Sequence, residues 1–127
     1  MRHLVIILTI LWLSPITHAA TFTVNTGSDL ATDNCTGGAC SLRGAILAAN
    51  ATPAADEIQF NIPQSDTGFQ TATQHWRIDL TDAGPLLSPG ASVTIDGFSQ
   101  PGAVANSSTP VQGGLNSTLK IDRKSVV

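Results

Sequence analysis

Ser41-Leu42-Arg43-Gly44-Ala45-Ile46-Leu47-Ala48-Ala49-Asn50 and, a few residues on, Asp56-Glu57-Ile58-Gln59-Phe60-Asn61-Ile62 decide how this chain is read. In the first stretch Leu42, Ala45, Ile46 and Ala49 recur at i, i+3, i+4 and i+7, the spacing of one helix face. Cys40 or Ser41 starts that helix, and Asn50 followed by Pro53 ends it. Gly44 inside it costs about 1 kcal/mol relative to Ala, so the helix depends on packing. In the second stretch Ile58, Phe60 and Ile62 alternate with Gln59 and Asn61, the period of a strand with one buried face.

Outward from this pair the extended pattern dominates. Phe22-Thr23-Val24 reads as a first short strand, and a turn-rich stretch from Thr26 to Gly38 follows it. Trp76, Ile78 and Leu80 alternate with Arg77 and Asp79, and Val93 and Ile95 with Thr94 and Asp96. Leu119 and Ile121 begin a further strand after a Gly/Ser/Asn-rich loop from Phe98 to Thr118. Gly84-Pro85, Pro89-Gly90, Asp96-Gly97 and Pro101-Gly102 punctuate the runs. Ile58 to Ile78 is 20 residues, Ile78 to Ile95 is 17, and Ile95 to Ile121 is 26. Such intervals fit successive coils of a parallel solenoid better than the roughly 8–12-residue spacing of an antiparallel sandwich. This reading predicts Ile58, Ile78 and Ile95 stacked inside, and Gln59, Asp79 and Asp96 in one outward column. Glu57 then stands beside Arg77, and the helix covers the open first coil.

The chain's start has the form of an export signal. Arg2 and His3 precede an apolar run from Leu4 to Leu13, and Thr17-His18-Ala19 offers small residues for cleavage after Ala19, with Ala20 as the second position. Ten residues are too few for a membrane span, which needs about 20. Removing 19 of the 127 residues leaves 108, one small domain with five Lys/Arg against nine Asp/Glu. No basic cluster suits nucleic acid or an anionic membrane surface. Cys35 and Cys40 both lie in the exported part. A local disulfide is the natural reading, because no His or further Cys stands nearby to complete a metal site.

Cys40-Ser41-Leu42-Arg43-Gly44-Ala45-Ile46, followed by Ala49-Asn50, resembles the CSLREA domain, the N-terminal module of many large bacterial surface and secreted proteins. Phe22-Thr23-Val24-Asn25, Asp56-Glu57-Ile58-Gln59-Phe60, Val93-Thr94-Ile95-Asp96-Gly97 and Ser99-Gln100-Pro101-Gly102 fit the same layout over most of residues 21–102. The resemblance implies a mainly β protein: the start of a right-handed parallel β-helix with a short N-terminal capping helix. Gly44 departs from the family, standing where its name has Glu. Expected organisation is a signal peptide over 1–19, cap and first coils over 20–121, and a non-native tail over 122–127. Asp122-Arg123-Lys124-Ser125-Val126-Val127 breaks the style of the chain and resembles the translation of a sequencing adapter, so a longer parent gene is expected.

The candidate functional residues are the Cys35/Cys40 pair and the cap face Leu42, Ala45, Ile46 and Ala49. No catalytic motif is present, no cofactor is implied, and His75 reads as a surface residue. Asp79 and Asp96, if stacked, would suit a shared cation or acid/base work, and Asp29 with Asp33 would suit Ca²⁺, but solvated strand ends and turn formation are the preferred readings of these acids. The tripeptides at Asn34, Asn50, Asn106 and Asn116 are those of chance in so Asn/Ser/Thr-rich a chain. The expected role is structural and adhesive, toward surface glycans or other cell-envelope components. The rival readings are a truncated carbohydrate-active β-helix enzyme, polysaccharide lyase or hydrolase, and a small autonomous binding module.

Overall fold

Alternation places the strands, and the computed structural model shows which strands they join. It describes residues 18–30, 35–80, 88–90, 92–109, 111 and 113–125, with the backbone alone for 123–125. The apolar run Leu4–Leu13, Asp33, Asn34 and the turn Gly84-Pro85 lie outside the described residues.

Strand β1 (Thr21–Val24) is followed by helix α1 (Leu42–Asn50) and strand β2 (Asp56–Phe60). β1 and β2 are parallel, with Phe22 opposite Ile58 and Val24 opposite Phe60. Parallel neighbours cannot be joined by a tight turn. The connection here holds Cys35, Cys40 and α1, which packs back on β1 and β2. Strand β5 (Val93–Ile95) joins the far side of β2 in parallel, with Ile95 opposite Ile58, which gives the order β1-β2-β5.

A second sheet has the order β3-β4-β6. Strand β3 (Phe69–Gln70) runs antiparallel to β4 (His75–Leu80), and β4 runs parallel to β6 (Ile121–Ser125). The β3–β4 turn closes through Gln74, whose N–H donates to Gln70 O at 2.8 Å from a left-handed backbone, φ 55°. Trp76 anchors the hairpin: its Nε1–H donates to Pro63 O at 2.9 Å, and its ring lies 4.8 Å from that of Phe69. Asp66 ties the two sheets together. It accepts from Thr26 Oγ1 (2.9 Å) and Gly27 N (3.2 Å) after β1, and from Gly68 N (2.8 Å) before β3. Gly68 is required there, since a Cβ would stand 2.4 Å from the carbonyl oxygen of Arg77.

One core lies between these elements. Val24, Ile58, Phe60 and Ile62 from the first sheet side meet Trp76, Ile78 and Leu80 from the second, with Leu42, Ala45, Ile46 and Ala49 from α1. The molecule is a small mixed α/β domain with two separate three-stranded sheets, and this corrects the expectation of a right-handed parallel β-helix. A period of two fixes which face of a strand is buried but not which strand lies beside it. The runs around Ile58 and Ile78 therefore read as repeats of one coil, yet they belong to different sheets, and the β3–β4 hairpin holds the second apart. The proposed isoleucine column fails twice, because Ile78 pairs in register with Arg123, and Ile95, though beside Ile58, is exposed. Glu57 lies between Thr21 and Thr94 in the first sheet, whereas Arg77, in the second, pairs with Asp79 on its own strand. Residues 122–125, set apart as a tail in the sequence, continue β6 alongside β4.

Candidate functional site

The end of β1, the loop 35–40 and α1 form the most heavily built part of the molecule. Ser41 has the extended backbone of a helix N-cap, and its fully buried Oγ accepts from Gly44 N at 3.1 Å, as short polar side chains at this position do. Cys35 and Cys40 are joined in a disulfide, Cα to Cα 4.4 Å, which closes the loop just before that cap. Gly38 turns the loop at φ 93°, a conformation glycine adopts without steric cost.

Asn25, one residue past β1, holds the loop to the sheet. Its N–H donates to Cys40 O (3.0 Å), its Oδ1 accepts from Cys40 N (2.8 Å), and its Nδ2 donates to Gly38 O (2.7 Å). Beneath the first turn of α1, Arg43 meets Asp29 as a fork, Nε to Oδ1 at 2.7 Å and Nη2 to Oδ2 at 2.9 Å. Side-chain exposures of 4% and 1% place this pair inside the protein. The hydrogen bond to Asp29 raises the pKa of Arg43 above its ordinary value; Coulombic attraction adds to that and desolvation opposes it. Leu42, Ala45, Ile46 and Ala49 are all buried, so the apolar stripe is the face α1 turns to the core.

On the other side of α1, Asp56 is 2% exposed. Its Oδ1 accepts from the backbone N–H of Ala20 at 2.8 Å, and its Oδ2 accepts from the hydroxyl of Thr52. Gln100 is buried as well and acts as a piece of strand: Oε1 accepts from Ile62 N and Nε2 donates to Ile62 O, both at 2.9 Å. Sequence reasoning missed Arg43, Asp56 and Gln100 as buried polar residues, and Asn25 as the side chain that holds the loop. The signal for Asp56 was available, since it falls two before Ile58 on the buried face of the alternation.

The other acids are not assembled into chemistry. Asp79 bonds Arg77 (2.8 Å to Nη2) in the second sheet, while Asp96 caps a short 3-10 turn (Gly97–Ser99) by accepting from Phe98 N at 2.9 Å in the first. Gln59 faces Thr23 in register, so the expected column of Gln59, Asp79 and Asp96 does not form. An open cleft of about 380 Å³ is lined by Asp29, Gly68, Arg77 and Asp79, and both of its carboxylates are engaged by arginines. His75 is partly exposed and 4.0 Å from Asp122. Asn106 and Asn116 clasp their loop, Asn106 Oδ1 accepting from Asn116 N and Asn116 Oδ1 from Ser107 N. Among the described residues no group of three or more His, Cys, Asp or Glu could hold a metal ion, and no helix is long and apolar enough to cross a membrane. Comparison with family models, curated proteins and solved structures finds no match to this chain.

Proposed function

We propose that this chain is the capped, disulfide-braced start of an exported bacterial surface or secreted protein, serving a structural role in contacts with surface glycans or other cell-envelope components. The observation that supports this reading best is the Cys35–Cys40 disulfide at the junction of β1 and α1. Disulfides persist in oxidising compartments outside the cytosol. The sequence from Arg2 to Ala19 supplies the matching export signal, and the Cys40–Ile46 stretch supplies the likeness to the CSLREA domain. In this role the loop and α1 close one end of the sheet, where an uncovered apolar face would invite aggregation.

The test is expression of the full chain with its own leader in a bacterium. Expected are a product in periplasm or medium, lighter by residues 1–19, with both cysteines blocked to alkylation until reduced. Recovery from the cytoplasm at full mass with two alkylatable thiols overturns the proposal. Co-sedimentation of the exported product with purified cell envelopes reads the contact role.

A further inference from the structure

The geometry points to Asp56 as a receptor for the new α-ammonium group that leader removal creates at Ala20. The inference rests on the proposed export of the chain for its biological setting, but the pairing itself is a property of the fold. Ala20 is the residue where the described fold begins to be held. Its carbonyl accepts from Glu57 N at 2.9 Å, its N–H donates to Asp56 Oδ1 at 2.8 Å, and His18 and Ala19 before it are exposed. A peptide bond after Ala19 is thus open to a protease, while the nitrogen it would release already sits on a buried carboxylate.

That carboxylate lacks a positive partner. The side-chain contact of Asp56 besides Ala20 is the neutral hydroxyl of Thr52, and among the described residues no Arg, Lys or His side chain pairs with it. A buried charge without a counter-charge is costly, and it is stabilised when a well-placed opposite charge arrives. Hydrolysis by a signal peptidase breaks the Ala19–Ala20 C–N bond. Water gives its hydroxyl to the Ala19 carbonyl carbon and its proton to the Ala20 nitrogen. The proton then lost by the new carboxyl group matches the one taken up by the amine, leaving a departing carboxylate and an ammonium on Asp56. At neutral pH an α-amino group is largely protonated, its ordinary pKa being about 7.7–8.0. Cleavage after Ala20 would instead remove this nitrogen, so the ammonium pairing exists only in the product of cleavage after Ala19.

Every described strand, the helix and the whole core lie at or after Thr21, so a chain from Ala20 carries the described fold. A soluble carrier joined to Ala20 through a protease site that leaves Ala20 first gives the same domain with an amide or an ammonium at that nitrogen. Cutting the carrier is expected to raise Tm by about 4–8 °C. In Asp56→Asn the rise should vanish, since a neutral amide does not pair with the ammonium. An equal Tm before and after cutting, with Asp56 intact, overturns the proposal whether or not the variant folds. N-terminal sequencing of the exported full chain should read Ala20 first. A start at Thr21 overturns the assignment of the site, whereas failure of export with a preserved Tm rise removes the export reading and leaves the Asp56 pairing standing.

Discussion

Ile58 and Ile95 stand opposite one another in a parallel register, with side chains on the same face of one sheet, yet Ile58 is fully buried and Ile95 is 41% exposed. The difference lies in what covers each. α1 packs on β1 and β2, and its stripe from Leu42 to Ala49 shares the core with Ile58. β5 is the last strand of its sheet, and Phe98, Val104, Leu115 and Leu119 are exposed in the chain that follows it. The two ends of the sheet thus use the same apolar alternation to different effect. The first end is closed by a disulfide, a cap and a buried ion pair, and the other is left open.

The sharpest break of this comparison puts one charge at each end. Ile46→Asp sets a carboxylate at a fully buried position of α1, at a cost of about 4 kcal/mol. Ile95→Asp, at the open end, should change stability by less than about 1 kcal/mol. Urea unfolding of both variants decides it, and similar midpoints would show that α1 does not seal the sheet.

Next in size is the ion pair under the cap. Arg43→Ala takes the guanidinium from a carboxylate that is itself buried, and the expected loss is about 3 kcal/mol. The sign with pH follows from the raised Arg43 pKa. The stabilisation is fully present below the ordinary arginine value and is lost only as pH climbs through the raised one. The difference between parent and Arg43→Ala, measured by urea melts, should therefore stay level from about pH 6 to pH 9 as far as Arg43 is concerned.

The two ends also differ in how far the sequence revealed them. Helical spacing from Leu42 to Ala49 and the Cys35/Cys40 pair suffice to place α1 and the disulfide before it, since both are local signals. Faces of β2 and β4 were legible for the same reason. Sheet partnership was not, because the spacing from Ile58 to Ile78 is the same whether the strands share a sheet or not. The hairpin partner β3 has two residues, too few for any period. Arg43 and Asp29 were invisible as a pair because burial of long polar side chains follows from tertiary geometry. At the open end, Ser99-Gln100 was noticed as a motif, but its work was not. Ser99 Oγ accepts from Phe60 N at 2.7 Å, and the Gln100 amide bonds both polar groups of Ile62, so side chains carry the ladder on where β5 stops. Gln100→Leu keeps the bulk and leaves the backbone N–H and C=O of buried Ile62 unpaired, which costs about 2 kcal/mol. Faster amide exchange at Ile62 would accompany it, and unchanged exchange would show that the ladder does not depend on this side chain.

The smallest effect expected is at Arg77, the counterpart of Arg43 in the second sheet. Both arginines pair with an aspartate, but Arg77 brings Nε (2.9 Å) and Nη2 (2.8 Å) to the single oxygen Oδ2 of Asp79, whereas Arg43 spans both oxygens of Asp29. Geometry already favours the Arg43 pair, since a two-oxygen fork is the stronger arrangement. Solvent separates them further, since the Arg77 and Asp79 side chains are 40% and 38% exposed. In water most of the Coulombic gain is screened, and holding two long side chains in one arrangement costs entropy, so a pair of this kind contributes about 0.2–1 kcal/mol. Arg77→Ala should therefore lower stability by no more than that, and raising salt should shrink the difference further, whereas the loss in Arg43→Ala should persist. Thermal melts of the two variants at low and high salt make the comparison direct. A salt-resistant loss at Arg77 as large as that at Arg43 would mean that the second sheet holds a structural ion pair of its own, and that the cap is not the only end of this domain built to stay closed.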